Sequence, residues 1–424
     1  MSVESGDFFV ILQQIMKKYI LLLLSLFLLG GTAVKGQGSS INSSLLPNDS
    51  VPALPWPQSL QADIDTLLAT SALLDVSEVG LIVYDLSADS ALYSYHPRHT
   101  LRPASNMKLV TSIAALDRLG GAHKFRTSLY YTGVLDSCTL RGSLYCVGGM
   151  DPKFDDDDLQ VFAMQVRSLG IDTIRGRIVA DKSMKDSDLL GWGWCWDDDN
   201  PVLSPLLVSC KDEFTQRFVQ QLQRQGIVVD VELAEGRLPN GANLICSSFH
   251  TMDQVLLKMM KDSDNLYAES MFYHLALSQM GRPATAKMAR DAVNKLIERL
   301  GLKPSDYIIA DGSGLSLYNY LSPELEVALL RHAWRNSEIR EHLYPSLPIA
   351  GVDGTLSKRM HKTPAEGNVH AKTGTLKGVT TLAGYCRAAN GHILCFSIMN
   401  QGVMQLSRGR DFQDRLCVLM CQPR

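Results

Sequence analysis

Hydrophobic and polar positions divide this chain into elements of recognisable type. Over 59–74 an apolar stripe through Leu60, Ile64, Leu67, Leu68 and Leu73 recurs at helical spacing and predicts an amphipathic helix. Residues 79–85 are an almost continuous apolar run, short enough for a buried strand. A turn at Ala88-Asp89-Ser90 returns the chain as a second strand over 91–95. From Ser105 to Leu116 the apolar positions Met107, Leu109, Val110, Ile113, Ala114 and Leu116 fall nearly all round a helix, with no Gly or Pro before Gly120. A helix of that kind belongs in the interior rather than on the surface.

After Lys124 the texture changes. Short strands (125–131, 139–147, 177–180, 228–233) alternate with helices near 159–169 and 213–224, an α+β insertion with its own apolar pattern. Helices resume over 252–261, 266–279, 284–300 and 323–334. Two strands, 379–387 and 392–400, and a last helix over 403–421 close the chain. Strand pairs at both ends of the sequence imply one antiparallel sheet flanked by helices, so the fold class is α+β. Between the last two strands Asn390-Gly391 suits a two-residue type I′ hairpin. That turn pairs Ala389 with His392 and sets Cys386 opposite Cys395, near enough for a disulfide or for two thiols in contact.

The N-terminus has a different character. Lys17-Lys18 precede the apolar run 19–29, followed by the small residues Gly30, Gly31, Thr32 and Ala33. This predicts a signal peptide over 1–36, cleaved after Gly36, and hence export to the periplasm. Residues 37–56, rich in Ser, Asn and Pro, read as a linker. With 424 residues and 46% hydrophobic content the mature chain can bury a large core, and a formal charge of −3 gives no reason to expect nucleic acid as a partner. Nine cysteines are an odd count for an exported protein, so at least one thiol stays unpaired within the chain. No Cys or His spacing suggests a metal, and no cofactor is expected.

The chemistry is concentrated in three short motifs. Ser105-Asn106-Met107-Lys108 opens the interior helix, with Lys108 one turn beyond Ser105 and on the same face. Ser-x-x-Lys alone arises by chance about once or twice in a chain of this length. It is followed, however, by Ser263-Asp264-Asn265 between two helices and by Lys372-Thr373-Gly374 ahead of a strand. A Lys-Thr-Gly triplet arises in roughly one such chain in ten, so the ordered trio is a specific signal. A serine beside a buried lysine is a nucleophile beside a usable base, because desolvation lowers the amine's proton affinity. Ser263 and Asn265 are placed to hydrogen-bond Lys108, and Ser263 to relay a proton to a leaving amine. Lys372 and Thr373 offer a charge and a hydroxyl to a substrate carboxylate, and Gly374 permits close approach. The N–H groups of Ser105 and Thr375 would form an oxyanion hole.

The trio resembles the signature of penicillin-recognising serine enzymes. Wider stretches sharpen the likeness: Gly148-Gly149-Met150-Asp151-Pro152, Gly191-Trp192-Gly193-Trp194, Ser263-Asp264-Asn265-Leu266-Tyr267-Ala268-Glu269, Asp311-Gly312-Ser313-Gly314-Leu315-Ser316 and the run 347–356. With them the chain is similar to class C low-molecular-mass penicillin-binding proteins, of the penicillin-binding protein 4 type, from about residue 57 onward. The resemblance implies a transpeptidase/β-lactamase-like fold, with a catalytic domain of 57–123 and 250–424 interrupted by an inserted domain over 124–249. It implies a serine D-Ala-D-Ala carboxypeptidase or DD-endopeptidase that acts on peptidoglycan stem peptides through an acyl-enzyme and is covalently inhibited by β-lactam antibiotics. Ser105, Lys108, Ser263 and Asn265 would be catalytic, and Lys372, Thr373, Gly374 and Thr375 would bind substrate. Leu317 stands where some relatives carry arginine, which points to a difference in side-chain selectivity.

Two other functions fit the same motifs. A β-lactamase is one, but the Glu324 stretch lacks the Glu-x-x-Leu-Asn arrangement with which class A enzymes activate a deacylating water. A non-catalytic β-lactam- or peptidoglycan-binding protein is the other, and loss of a motif residue would mark it; all are present. Asp155 to Asp158 read as a solvated helix start, Trp192, Trp194 and Trp196 as packing, and Asp311 and Asp353 as loop-fixing residues.

Overall fold

A computed structural model describes residues 54–196, 200–278 and 283–423. The expected signal peptide and residues 37–53 of the expected linker lie outside the described residues. Helix α1 (Gln58–Thr70) leads to strands β1 (Glu78–Asp85) and β2 (Ser90–Tyr95). A 3-10 turn (Ala104–Asn106) runs straight into α2 (Met107–Leu119). Then come β3 (Lys124–Asp136), β4 (Thr139–Val147), α3 (Asp156–Ser168), β5 (Thr173–Asp181), α4 (Phe214–Arg224), β6 (Val228–Glu235) and β7 (Asn243–Thr251). Helices α5 (Met252–Lys261), α6 (Asn265–Leu277), α7 (Ala286–Arg299), α8 (Pro323–Arg335) and α9 (Ser337–Ser346) follow. Strands β8 (His370–Leu376), β9 (Val379–Arg387) and β10 (Ile393–Gln401) precede the last helix, α10 (Leu406–Cys421).

The first and last strands share one five-stranded sheet in the order β2-β1-β10-β9-β8, with every neighbouring pair antiparallel. Both faces of this sheet are covered, which is why β1 reads as an almost continuous apolar run. Ile82, Tyr84, Ala383 and Tyr385 point into a core shared with α2 and α5 to α9. Their neighbours Leu81, Val83, Leu382 and Phe396 point the other way, against α1 and α10. The two-residue period of a strand thus sorts one stretch of sequence into two cores. Within the first core α2 is buried from Met107 through Leu116, as its all-round apolar pattern predicts.

The second sheet, in the order β6-β5-β4-β3-β7, is mixed: β4–β5 and β5–β6 are parallel, whereas β3 pairs antiparallel with β4 and β7. Phe154, Phe162, Phe214 and Phe218 from the segments around α3 and α4 pack against it in a core of its own.

The expected hairpin register is corrected by the structure. Gly391 N–H donates to Ala388 O at 2.8 Å, Ala388 N–H donates to His392 O at 2.9 Å, and Gly391 has φ +89°. The connection is therefore a three-residue loop with a left-handed glycine rather than a two-residue turn. One added residue slips the pairing by one, so Cys386 opposes Leu394 and Cys395 opposes Tyr385. The two cysteines end on opposite faces of the sheet, in different cores, and the proposed bridge between them is excluded. All the cysteines are free thiols.

Candidate active site

The turn that carries Ser105 is held by three segments. Ser105 lies half-buried in the 3-10 turn, after Ala104 in a left-handed conformation (φ +47°). Gly314 presses on this turn from the loop before α8. With φ +83°, a Cβ there would lie 1.8 Å from Ala104 O, so only glycine fits. Thr381 of β9 donates its hydroxyl to Pro103 O at 2.8 Å. Gly374 of edge strand β8 comes close as well. A Cβ at Gly374 would meet Thr381 Oγ1 at 2.1 Å and Ser105 N at 3.0 Å, so the missing side chain is what lets β8 lie against the Ser105 turn.

Lys108 is fully buried one turn beyond Ser105. Its Nζ lies 2.7 Å from Asn265 Oδ1, 2.8 Å from Ser313 O and 3.1 Å from Ser105 Oγ. A neutral amine has two N–H donors and one lone pair. Two acceptors at the shorter distances take both donors and leave the lone pair for the Ser105 hydroxyl. Burial lowers the Lys108 pKa to about 8, against the opposing pull of Asp311, Glu269 and Asp264. The base form is accordingly accessible near neutral pH.

Asn265 is the first residue of α6, capped by Asp264, whose Oδ1 accepts from Leu266 N at 2.9 Å and Tyr267 N at 3.3 Å. Ser263 precedes the cap in a left-handed conformation (φ +61°). Its expected hydrogen bond to Lys108 is absent. Its hydroxyl instead accepts from Lys372 Nζ at 2.9 Å. The backbone at Ser263 lies outside the helix that aims Asn265, so the two side chains of this motif serve different lysines. Lys372 is fully buried, and its Nζ also donates to Thr373 O at 2.7 Å. Burial, reinforced by the nearby charge of Lys108, drives the Lys372 pKa well below the usual lysine range. Thr373 Oγ1 lies 2.7 Å from Thr355 Oγ1, and Thr375 is exposed two residues along β8 from Thr373. Ser105, Lys108, Asn265 and Ser313 thus form one bonded group and Ser263, Lys372, Thr373 and Thr355 another, with Gly374 the point at which β8 meets the Ser105 turn.

The D-Ala-D-Ala carboxypeptidase 3 (S13) family matches this chain over residues 60–206 and 208–422. The chain belongs to that family. It is therefore a serine-type peptidase. Among S13 relatives, the D-alanyl-D-alanine carboxypeptidase DacB of Haemophilus influenzae is 27% identical over 420 residues, covering 79% of this chain and 88% of the relative. A D-alanyl-D-alanine carboxypeptidase of Actinomadura sp. is 28% identical over 442 residues, covering 81% of each. The crystal structure of penicillin binding protein 4 from Haemophilus influenzae matches with a TM-score of 0.74 at 24% identity, over 84% of this chain and 99% of that one. The Bd3459 predatory endopeptidase of Bdellovibrio bacteriovorus matches with a TM-score of 0.53 at 15% identity, over 80% and 91%. These structural likenesses establish the penicillin-binding-protein fold.

The candidate site also contains residues to which the three motifs gave no role. Ser313 acts through its carbonyl, so its residue type carried no signal. Glu269 did carry one, since it follows Asn265 by four residues and therefore shares its helix face. Thr355 meets Thr373 only through the tertiary fold. Asp311 anchors the Ser313 loop by accepting from Trp194 Nε1, Gly314 N, Ser316 N and Asn319 Nδ2. Asp353 accepts from Ile349 N and pairs with Lys261. Asp155 and Asp158 form a capping box at the start of α3. Of the tryptophans expected to pack, Trp194 is buried, whereas Trp192 and Trp196 are exposed.

Proposed function

We propose that this S13 protein is a periplasmic DD-peptidase that hydrolyses D-Ala-D-Ala termini, or cross-links made by a D-Ala carbonyl, in peptidoglycan stem peptides. The observation that carries the reading is the Lys108 arrangement: a buried amine in contact with Asn265 Oδ1, Ser313 O and Ser105 Oγ, whose neutral form would spend both donors on the first two and turn its lone pair to the third. Ser105 Oγ attacks the D-Ala carbonyl while Lys108 Nζ takes its proton. The N–H groups of Ser105 and Thr375 receive the oxyanion, with close packing of Gly374 on the turn favouring their convergence. Ser263 passes its hydroxyl proton to the leaving amine and takes one in turn from Lys372 Nζ, which is bonded to it. Lys372 and Thr373, with the hydroxyl of Thr355 beside them, receive the carboxylate of the substrate. Water then releases the acyl group.

A β-lactam presents the same carbonyl and carboxylate, and a crystal structure of the Haemophilus influenzae penicillin binding protein 4 is complexed with one. Covalent acylation of Ser105 by β-lactams belongs to the same reading. The separate core of the second sheet supports treating 124–249 as a domain inserted between 57–123 and 250–424. Among the described residues no helix is long and apolar enough to cross a membrane, and the apolar leader supports export.

The test is incubation of the protein with labelled muropeptides, the products being read by mass. Loss of a terminal alanine or scission of a cross-link is expected, and Ser105→Ala should abolish it together with covalent labelling by fluorescent penicillin. Persistent label on that variant overturns the assignment.

A further inference from the structure

Behind Lys108 lie two buried carboxylates that the reaction above does not use. Asp311 is fully engaged in tying its loop together. Glu269 is placed differently: 1% exposed, one turn after Asn265 on α6, it accepts from Gly312 N at 3.0 Å and Ser313 N at 2.8 Å through Oε1. The same Ser313 residue gives its carbonyl to Lys108 Nζ at 2.8 Å. Thr111 Oγ1, on the helix that carries Lys108, donates to Gly312 O at 2.7 Å. One short stretch of backbone is thus gripped by Glu269 on its N–H side and offered to Lys108 on its carbonyl side. Among the described residues no lysine or arginine forms an ion pair with Glu269.

We infer that Glu269 is a positioning residue that sets the proton affinity of Lys108, by fixing the Ser313 carbonyl and by placing a titratable carboxyl within the field of the amine. The inference deepens the acyl-enzyme reading and rests on Lys108 as its base. In that step the Ser105 Oγ–H bond breaks, the proton moves to the Lys108 lone pair, and Oγ bonds to the carbonyl carbon. Glu269 forms no bond, but its charge stabilises the ammonium over the free base. The other charged groups that bear on Lys108 are Asp311 and Asp264, which also favour the ammonium, and Lys372, whose charge repels it. Burial, with Asp311 next, raises the Glu269 carboxyl to about 8, the same range as Lys108. The two groups therefore titrate as a linked pair.

Glu269→Gln separates charge from position, because the amide oxygen can still accept from both N–H groups. The rate of acylation by fluorescent penicillin, followed against pH, should rise along a limb that reports loss of the Lys108 proton. In the variant that limb should move to lower pH by roughly one unit, the size expected for removal of a nearby opposite charge. Glu269→Ala, which loses the grip on Ser313 as well, should lower the rate across the whole profile. A limb at the wild-type position in a folded Gln variant overturns the inference. Should that variant not fold, the Lys108 ε-carbon resonance in otherwise native protein decides. Two coupled titration steps support the linkage, and one independent step overturns it. The same resonance can be followed in Ser105→Ala protein, where no acylation occurs, so this inference and the acyl-enzyme reading fail separately.

Discussion

Two buried lysines that feel each other's charge would repel if both stayed charged, and the site resolves this by giving them different partners. Lys108 faces Asn265 and a backbone carbonyl, with three carboxylates behind it. Lys372 faces Ser263 and its neighbour's carbonyl, and both burial and the charge of Lys108 oppose its ammonium form. In the proposed reaction a substrate carboxylate would supply a counter-charge that no ion pair gives Lys372 among the described residues, and would draw it to the ammonium form. Lys372→Ala should therefore weaken substrates with a free carboxylate by roughly ten- to a hundredfold in KM, the range of a charge-assisted hydrogen bond. Amidated substrates should change far less, as steady-state kinetics on the matched pair would reveal. Equal losses on both would assign Lys372 to the fabric of the site.

Individual elements show which features local sequence can encode. The start of α2 was legible because Ser105 and Lys108 lie within one turn, where spacing alone sets geometry. The partnership of Ser263 with Lys372 was not, because residues far apart in the chain meet only once β8 is seated. Strand β7 escaped notice since its residues are mostly half-buried and lack clean alternation, and α9 because it carries Pro345 and few apolar positions. At the last hairpin Asn390-Gly391 correctly marked a turn, yet loop length decides register, and one residue moved Cys386 and Cys395 to opposite faces. The α6 N-terminus offers a test at this scale. Asp264 satisfies two N–H groups at the helix end that carries Asn265. Asp264→Ala should cost about 1 kcal/mol of stability. It should also slow acylation, because Asn265 and Ser263 flank the lost cap. Denaturant unfolding beside penicillin labelling checks both, and unchanged labelling would free the site from dependence on the cap.

At the scale of the whole molecule, a carboxyl joins the Ser105 turn to both the helical and the sheet layers. Glu326 of α8 is fully buried, and its Oε2 accepts from Asn106 Nδ2 at 3.1 Å and from Ser397 Oγ of β10 at 2.7 Å. Its Oε1 and the side-chain Oδ1 of Asn106 have no partner among the described residues. Burial raises its pKa to about 7, against the pull of its two donors. The folded-state value lies above the unfolded one. The contribution of Glu326 to stability is therefore complete below about pH 4.5 and lost as pH rises through about 7. The difference corresponds to about 3 kcal/mol as an order of magnitude. Glu326→Gln removes the titration while keeping an acceptor for Asn106 and Ser397. Unfolding free energies of the two proteins should thus diverge with pH, the variant gaining on the wild type between pH 4.5 and 8. A constant difference over that window would mean that Glu326 holds the same protonation state in the folded and unfolded chains, and that the Ser105 turn is seated on a fixed charge rather than on a neutral acid.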